Sequence, residues 1–228
     1  MTTSVIGHKP YNPLMGGHPN IPLNLPFIEG SGSTLTDLSE HSNDGDITDA
    51  VWISTDHGWA LTFNGTSALV DCGNDSSLSP ETGMALEALV KAEPDGDYRY
   101  IISNGWDFNK YGSRLLQHTN QKAYFYAAYD ESSAANTYTD DVMTANITHL
   151  IATLKDSVLY IYINGELQVK ETAFAHDISR GSVKTYIGWG DSTRFLDGLV
   201  YYSRLHDVGL NAKDVKYLYL DLRRRLRI

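Results

Sequence analysis

Along most of the chain, apolar and polar residues alternate over short runs that are parted by clusters of Gly, Asn, Asp and Ser. A period of two sends successive side chains to opposite faces, so each run predicts a β-strand with at least one face buried. The runs are 60–63, 68–72, 84–91, 98–103, 113–117, 123–128, 148–154, 158–169 and 184–189. The run VLYIYINGELQV at 158–169 predicts a hairpin, because Asn164-Gly165 between two apolar runs suits a type I′ turn. A two-residue loop then fixes the register: Ile163 opposite Glu166, Tyr162 opposite Leu167, Ile161 opposite Gln168, Tyr160 opposite Val169, Leu159 opposite Lys170. One face reads Tyr, Leu, Tyr, Val. The other mixes Leu159, Ile161 and Ile163 with Glu166, Gln168 and Lys170. Burial of the uniformly apolar face puts Tyr160 and Tyr162 in the core rather than on an exposed stacking platform.

Two segments break this texture. Pro10, Pro13, Pro19, Pro22 and Pro26 crowd the first 26 residues, among Gly7, Gly16 and Gly17, so residues 1–26 are expected as an extended arm that forms neither ladder nor helix. At the other end, residues 211–228 predict a short helix with a basic tail. Asn211 stands as N-cap, Asp214 in the first turn, and Val215, Leu218 and Leu222 at helical spacing. Arg223, Arg224, Arg225 and Arg227 either complement the helix dipole or form a clip for an acidic partner. Between these ends, residues 27–210 make one all-β domain, and its strand density suits a two-sheet sandwich.

Composition removes several function classes. A formal charge of -10 does not suit neutralising nucleic-acid phosphates, which needs clustered excess Lys and Arg. Cys72 is the only cysteine, which excludes an intrachain disulfide framework. No apolar run is long enough to span a bilayer, and the N-terminus lacks the apolar core of a signal peptide, so synthesis in the cytosol is expected.

Five motifs in order resemble the laminin-G-like domains of the concanavalin A-like jelly-roll superfamily. They are LTDLSEHSNDGDI, LTFNGTSALVDCGN with MALEALVK, LYIYINGELQV, YIGWGDSTRFLDGLV and VYYSRLHDVGLNAKDVKYLY. The resemblance covers roughly residues 25–220 and implies a two-sheet jelly roll. It does not fix function, because the superfold hosts lectins, glycoside hydrolases, adhesion modules and virion proteins. It also raises calcium at the entry segment, where Asp37, Asn43 and Asp44 offer hard oxygen ligands. However, Tyr201 and Tyr202 stand where the family's closing strand commonly carries an acidic pair, so the expectation is no metal and no other cofactor.

A jelly-roll glycosidase needs two carboxylates flanking the scissile bond. Glu93, Asp95 and Asp97 alternate, but Pro94 and Gly96 break a strand there and make a solvated turn the better reading. The expectation is therefore a non-enzyme. A sugar site needs a flat aromatic ring with polar groups in a loop. Trp106, Asp107 and Tyr111 supply these in one loop, and Trp189, Asp191 and Arg194 in another. Two functions follow. A phage virion structural protein, a capsid decoration or tail component, is favoured by a domain with its own Met1, no export signal, a proline arm and the basic tail. Its partners would be other virion proteins such as a capsid or tail subunit, and it would form a homo-oligomer. The alternative is a carbohydrate-binding, lectin-like module.

Overall fold

The computed structural model of the chain describes residues 21–80, 83–105, 111–130, 133–168, 172–176, 178, 183–191 and 193–228. In chain order, the strands are β1 (Leu23–Leu25), β2 (Thr34–Leu35), β3 (Gly45–Thr48), β4 (Val51–Thr55), β5 (Gly58–Asn64), β6 (Leu69–Asp71), β7 (Met84–Ala92), β8 (Arg99–Asn104) and β9 (Gly112–Gln117). They continue as β10 (Lys122–Ala128), β11 (Ala134–Val142), β12 (Thr148–Lys155), β13 (Val158–Ile163), β14 (Glu166–Leu167), β15 (Thr172–Ala173), β16 (Thr185–Ile187) and β17 (Asp197–His206), and helix α1 (Ala212–Leu226) ends the chain. Two antiparallel sheets form a jelly-roll sandwich. The first runs β14-β13-β12-β7-β17-β5-β4, with β1 beside β17 and β15 beside β13; the second runs β11-β10-β9-β8-β16-β6-β3-β2. Every predicted strand run is found. The core between the sheets takes Leu61 and Phe63 from β5, Leu86 and Val90 from β7, and Leu150 and Leu154 from β12 on one side, with Val70, Ile102, Leu115, Phe125 and Ile187 on the other.

The middle of the first sheet is buried on both faces. Against its outer face lies α1, where Val215 and Leu218 meet Ala85, Ile151 and Tyr162, and Leu222 meets Ala60, Leu89, Tyr201 and Tyr202. The predicted cap is present as a capping box. The Asn211 side chain accepts from the amides of Lys213 at 2.9 Å and Asp214 at 3.1 Å, and the Asp214 carboxylate accepts from the Asn211 amide at 3.1 Å.

This arrangement corrects the reading of the hairpin. Tyr162 opposite Leu167 and Ile163 opposite Glu166 are observed, but the faces are reversed. Leu159 and Ile161 point between the sheets, while Tyr162 is buried beneath α1 with Tyr160 half-buried at its side. Beyond Gln168 the register also moves by two residues, so that Leu159 pairs with Thr172 instead of Lys170. A second correction concerns the arm. Residues 1–20 lie outside the described residues, but the expectation that the segment through Pro26 forms no ladder fails at Leu23–Leu25, which pairs with Ser203–Leu205 of β17 and is buried. Pro22 and Pro26 stand just outside that strand, where their missing N–H groups cost no ladder bond.

The outer face of the first sheet also holds a buried polar cluster. Glu87 of β7 accepts hydrogen bonds from His149 Nε2 at 3.0 Å, His206 Nε2 at 2.8 Å and Arg204 Nη1 at 3.3 Å. All four side chains are buried. Asn24 of β1 takes the other side of Arg204 and the Tyr202 hydroxyl, and Tyr219 of α1 stacks on His149 at 5.9 Å between ring centroids. Burial alone would raise the Glu87 carboxyl, but the charge of Arg204 and the bonds from both histidines hold it well below the usual carboxylate range.

Candidate binding face

The outer face of the second sheet has no helix over it among the described residues, and it carries an aromatic and cationic array. Alternation along β10 builds its centre. Ala123, Phe125 and Ala127 enter the core, which turns Tyr124 and Tyr126 outward. Tyr124 lies opposite Leu116 of β9 and Tyr138 of β11, and Tyr126 lies opposite Arg114 and Asn136. Tyr100 of β8 lies opposite Leu116. A bulge between Tyr100 and Ile102 lets Tyr100 face outward while Ile101 and Ile102 both enter the core.

The register brings rings into a continuous line. Tyr138 stacks on Tyr124 at 4.9 Å, Tyr124 on His118 at 4.5 Å, and His118 meets Tyr98 edge-on at 4.3 Å. Tyr126 stacks beside Tyr124 at 5.9 Å. The Tyr98 hydroxyl and His118 Nε2 share a hydrogen bond of 2.6 Å, and Asn120 donates to the Tyr124 hydroxyl at 3.1 Å, which fixes the rings in place. Burial lowers the His118 pKa. Cations sit on the ring faces: Arg114 over Tyr126 at 4.4 Å, Arg194 over Tyr98 at 5.0 Å, and Lys122 over Tyr138 at 5.5 Å.

One end of the line is organised by the loop after β16. Asp191 is buried there; it accepts from the Tyr100 hydroxyl at 2.5 Å and from Arg194 at 3.2 Å, with Arg114 at 3.9 Å. Arg114 also donates to the Tyr100 oxygen. Burial pushes the Tyr100 hydroxyl up to about 12. The loop can lie this close because residue 190 is glycine, where a Cβ would overlap the Tyr100 ring.

The sequence-predicted residues fall unevenly on this face. Asp191 and Arg194 belong to it. Trp189 packs edge-on against Tyr186 at 4.7 Å and near Phe195 at 6.1 Å, so its ring is held by neighbours at the rim. Tyr111 is half-buried just ahead of β9, and Trp106 and Asp107 lie outside the described residues. Tyr98, Arg114, His118, Tyr124, Tyr126 and Tyr138 were missed. The alternation of AYFYAA marks two of them, but nothing local says that His118 and Tyr138 stack on Tyr124.

The other candidates are accounted for by local bonds. The Asp37 carboxylate accepts from the amides of Asn24, Ser39 and Asn43 and from the Ser39 hydroxyl, at 2.5–2.9 Å. Its four lone-pair directions are thereby occupied, and Asp44 caps the Asp37 amide at 2.8 Å. These are the bonds of a folded loop, and among the described residues no cluster of three or more His, Cys, Asp or Glu has metal-binding geometry. Glu93, Asp95 and Asp97 form an exposed turn, with Asp95 and Asp97 clamped by Arg99. Arg223, Arg224 and Arg225 belong to the last turn of α1 rather than to a separate tail. Arg224 and Arg225 pair with Asp221, and Arg223 donates to the Ile228 carbonyl at 3.1 Å; Arg227 is the left-handed C-cap.

The fold is that of a lectin-like jelly-roll domain. A laminin-G-type family model of the concanavalin A-like lectin/glucanases superfamily matches residues 64–216, and the chain belongs to that superfamily. A search of the curated proteins finds no match. Among solved structures, the binding domain of Paraclostridial Mosquitocidal Protein 1 superposes with a TM-score of 0.72 at 13% identity, covering 88% of this chain and 52% of that one. A structure of botulinum neurotoxin type C, whose cell entry depends on two ganglioside molecules, gives 0.66 at 12%, with 89% and 51% covered. Trypanosoma rangeli sialidase in complex with the inhibitor DANA gives 0.63 at 17%, with 87% and 32% covered. The chain thus spans about half the length of the toxin domains and a third of the sialidase, and at these identities the likeness is one of fold. Among the described residues, no helix is long and apolar enough to cross a membrane.

Proposed function

We propose that this domain is a non-catalytic carbohydrate-binding module and that the outer face of the second sheet is its binding face. The observation that carries this reading is the line Tyr138, Tyr124, His118, Tyr98 with Tyr126 beside it, stacked and bonded in place on β10, β11 and the residues that flank β8 and β9. A pyranose ring has a face of C–H groups that packs on an aromatic plane and a rim of hydroxyls that needs polar partners. The outward edges and hydroxyls of the stacked tyrosines offer aromatic surface, and Arg194 and Lys122, which cover ring faces, with Asn120 at the Tyr124 hydroxyl offer polar partners. Locked rings bind at little entropic cost, since they need no ordering when a ligand arrives.

Hydrolysis is not part of the proposal. Asp191, the carboxylate held against this face, is committed to Tyr100, Arg194 and Arg114, whereas a retaining glycosidase needs two carboxyl groups about 5–5.5 Å apart at the scissile bond. The toxin and sialidase ligands named above support a glycan only through shared fold. Attachment to a virion draws on residues outside the described part of the chain and on Arg223, Arg224, Arg225 and Arg227, whose contacts within the domain leave it the weaker reading.

The test is a glycan-array screen followed by calorimetry on hits, with Tyr124→Ala and Tyr126→Ala compared to the parent chain. Each ring is half-exposed, so both variants should keep the parent's far-UV spectrum while affinity falls tenfold or more. Undiminished binding by both variants would move the site elsewhere.

A further inference from the structure

β4 is the last strand of the first sheet, and among the described residues no strand pairs with its outer edge. Natural edge strands are guarded by lysine, proline, bulges or a covering element. The sequence Val51-Trp52-Ile53-Ser54-Thr55 has none of the first two, and its pairing to β5 runs without a bulge. Exposed apolar groups gather on the same rim: Val51 is 66% exposed, Ile28 63%, Trp59 41% and Ile53 40%. Trp59 lies opposite Ser54 on β5, and Ile28 sits between Phe27, which packs on Trp52, and Gly30, which packs on Trp59.

The hairpin register says which backbone groups the edge offers. Thr55 pairs with Gly58 across the two-residue turn, so Thr55, Ile53 and Val51 exchange their hydrogen bonds with β5. The N–H and C=O groups of Trp52 and Ser54 therefore point away from the sheet. We propose that this edge is a homodimer interface in which β4 pairs antiparallel with β4 of a second copy, about a two-fold axis through Ile53.

The geometry selects that axis. Centred on Ile53, Trp52 of each copy lies opposite Ser54 of the other, and the two pairs exchange four hydrogen bonds. Centred on Trp52, Ser54 would face Ala50, whose N–H already donates to the Thr48 carbonyl at 2.7 Å. Centred on Ser54, Trp52 would face Asp56, which is in the turn. The chosen register also sets Val51, Ile53 and Thr55 of both copies in one β-branched row, which favours cross-strand packing. A second copy is the occupant that fits, because the strand complements itself under the two-fold and carries no charge of its own on a molecule of net charge -10. The two acidic bodies still repel at longer range, so the dimer should tighten as salt screens them.

Cysteine scanning tests the register with the full chain, since the only native cysteine, Cys72, is buried. In Ile53→Cys, the facing residues form a non-hydrogen-bonded pair with Cα atoms about 4.5 Å apart, within disulfide range. Oxidised glutathione should convert it to a covalent dimer. In Val51→Cys, the two thiols are offset by four residues, roughly 13 Å along the strand, and should stay unlinked. By sedimentation velocity, the parent should shift from monomer to dimer with rising concentration. Ile53→Lys, at an exposed position, should melt as the parent monomer does and remain monomeric. A parent that stays monomeric into the hundred-micromolar range, a dimer that survives Ile53→Lys, or equal cross-linking of the two cysteine variants would each overturn the proposal.

Discussion

Replacing Glu87 with glutamine tests whether the cluster beneath α1 holds a buried charge or only a set of neutral hydrogen bonds. The carboxylate accepts from His149, His206 and Arg204, and glutamine keeps its shape while losing its charge. One amide oxygen can still accept on one side, but the amide NH₂ then faces a donor on the other. Arg204, buried with its charge, loses its anion. Removing one partner of a buried pair costs about 3–5 kcal/mol, and a single hydrogen bond to a charged group about 1.5–3 kcal/mol. Glu87→Gln should therefore lose about 4 kcal/mol in urea unfolding at neutral pH, a large part of the roughly 5–15 kcal/mol a domain possesses. Adding Arg204→Met should restore part of the loss, because it removes the stranded cation. A loss under about 1 kcal/mol, or an additive double variant, would show that Arg204 finds water or another partner and that the pair is not the one described.

The same cluster fixes a sign for pH dependence. The Glu87 carboxyl titrates lower in the folded chain than its ordinary value of 4.5. Between those two values the unfolded chain binds the extra proton, so stability rises with pH through that window. The contribution is complete above the unfolded value and is lost as pH falls through the folded one. The gap between parent and Glu87→Gln should accordingly be widest above about pH 5 and narrow on acidification. A gap that is constant from pH 6 to pH 3, followed by urea titration at each pH, would contradict the assignment.

Two further substitutions separate packing from capping. Tyr162→Ala empties a site enclosed by Ile151, Val215 and Leu218 and should cost about 3–5 kcal/mol without changing glycan affinity, measured by urea midpoint and by calorimetry. Asn211→Ala removes the acceptor for two amide donors at the start of α1 and should cost about 1 kcal/mol, read as a lower melting temperature with an unaltered β-sheet spectrum.

Much of the fold was legible because its signals are local. The Asn164-Gly165 turn sets the register of the residues beside it, and Asn211 with Asp214 sets the start of α1. What failed needed information from outside the segment. In the hairpin, polar Gln168 argued that its face was solvated. In the structure, that side chain reaches across to the other sheet and accepts from the amides of Asp140 at 3.1 Å and Asp141 at 3.4 Å, satisfying the edge of β11. A polar residue on the inner face thus serves a neighbouring strand, and no comparison of the hairpin's two faces could reveal that.

The two tyrosine pairs make the same point about function. Tyr160 and Tyr162 on β13 and Tyr124 and Tyr126 on β10 have the same alternation, and in both strands the residues between them enter the core between the sheets. Each pair therefore faces outward from its sheet. What differs is the cover. α1 returns over the first sheet and buries Tyr162 under Val215 and Leu218, while among the described residues the second sheet has no helix over its outer face and takes a loop at one end, through Asp191 and Arg194. The choice between a structural tyrosine and a ligand-facing one is thus made by residues 211–226, which begin more than eighty positions after Tyr126 in one case and about fifty after Tyr162 in the other. Strand alternation specifies which side chains leave the core, and only the placement of the remaining elements decides whether they meet protein or solvent. The proposed binding face is for that reason a property of where the helix is not.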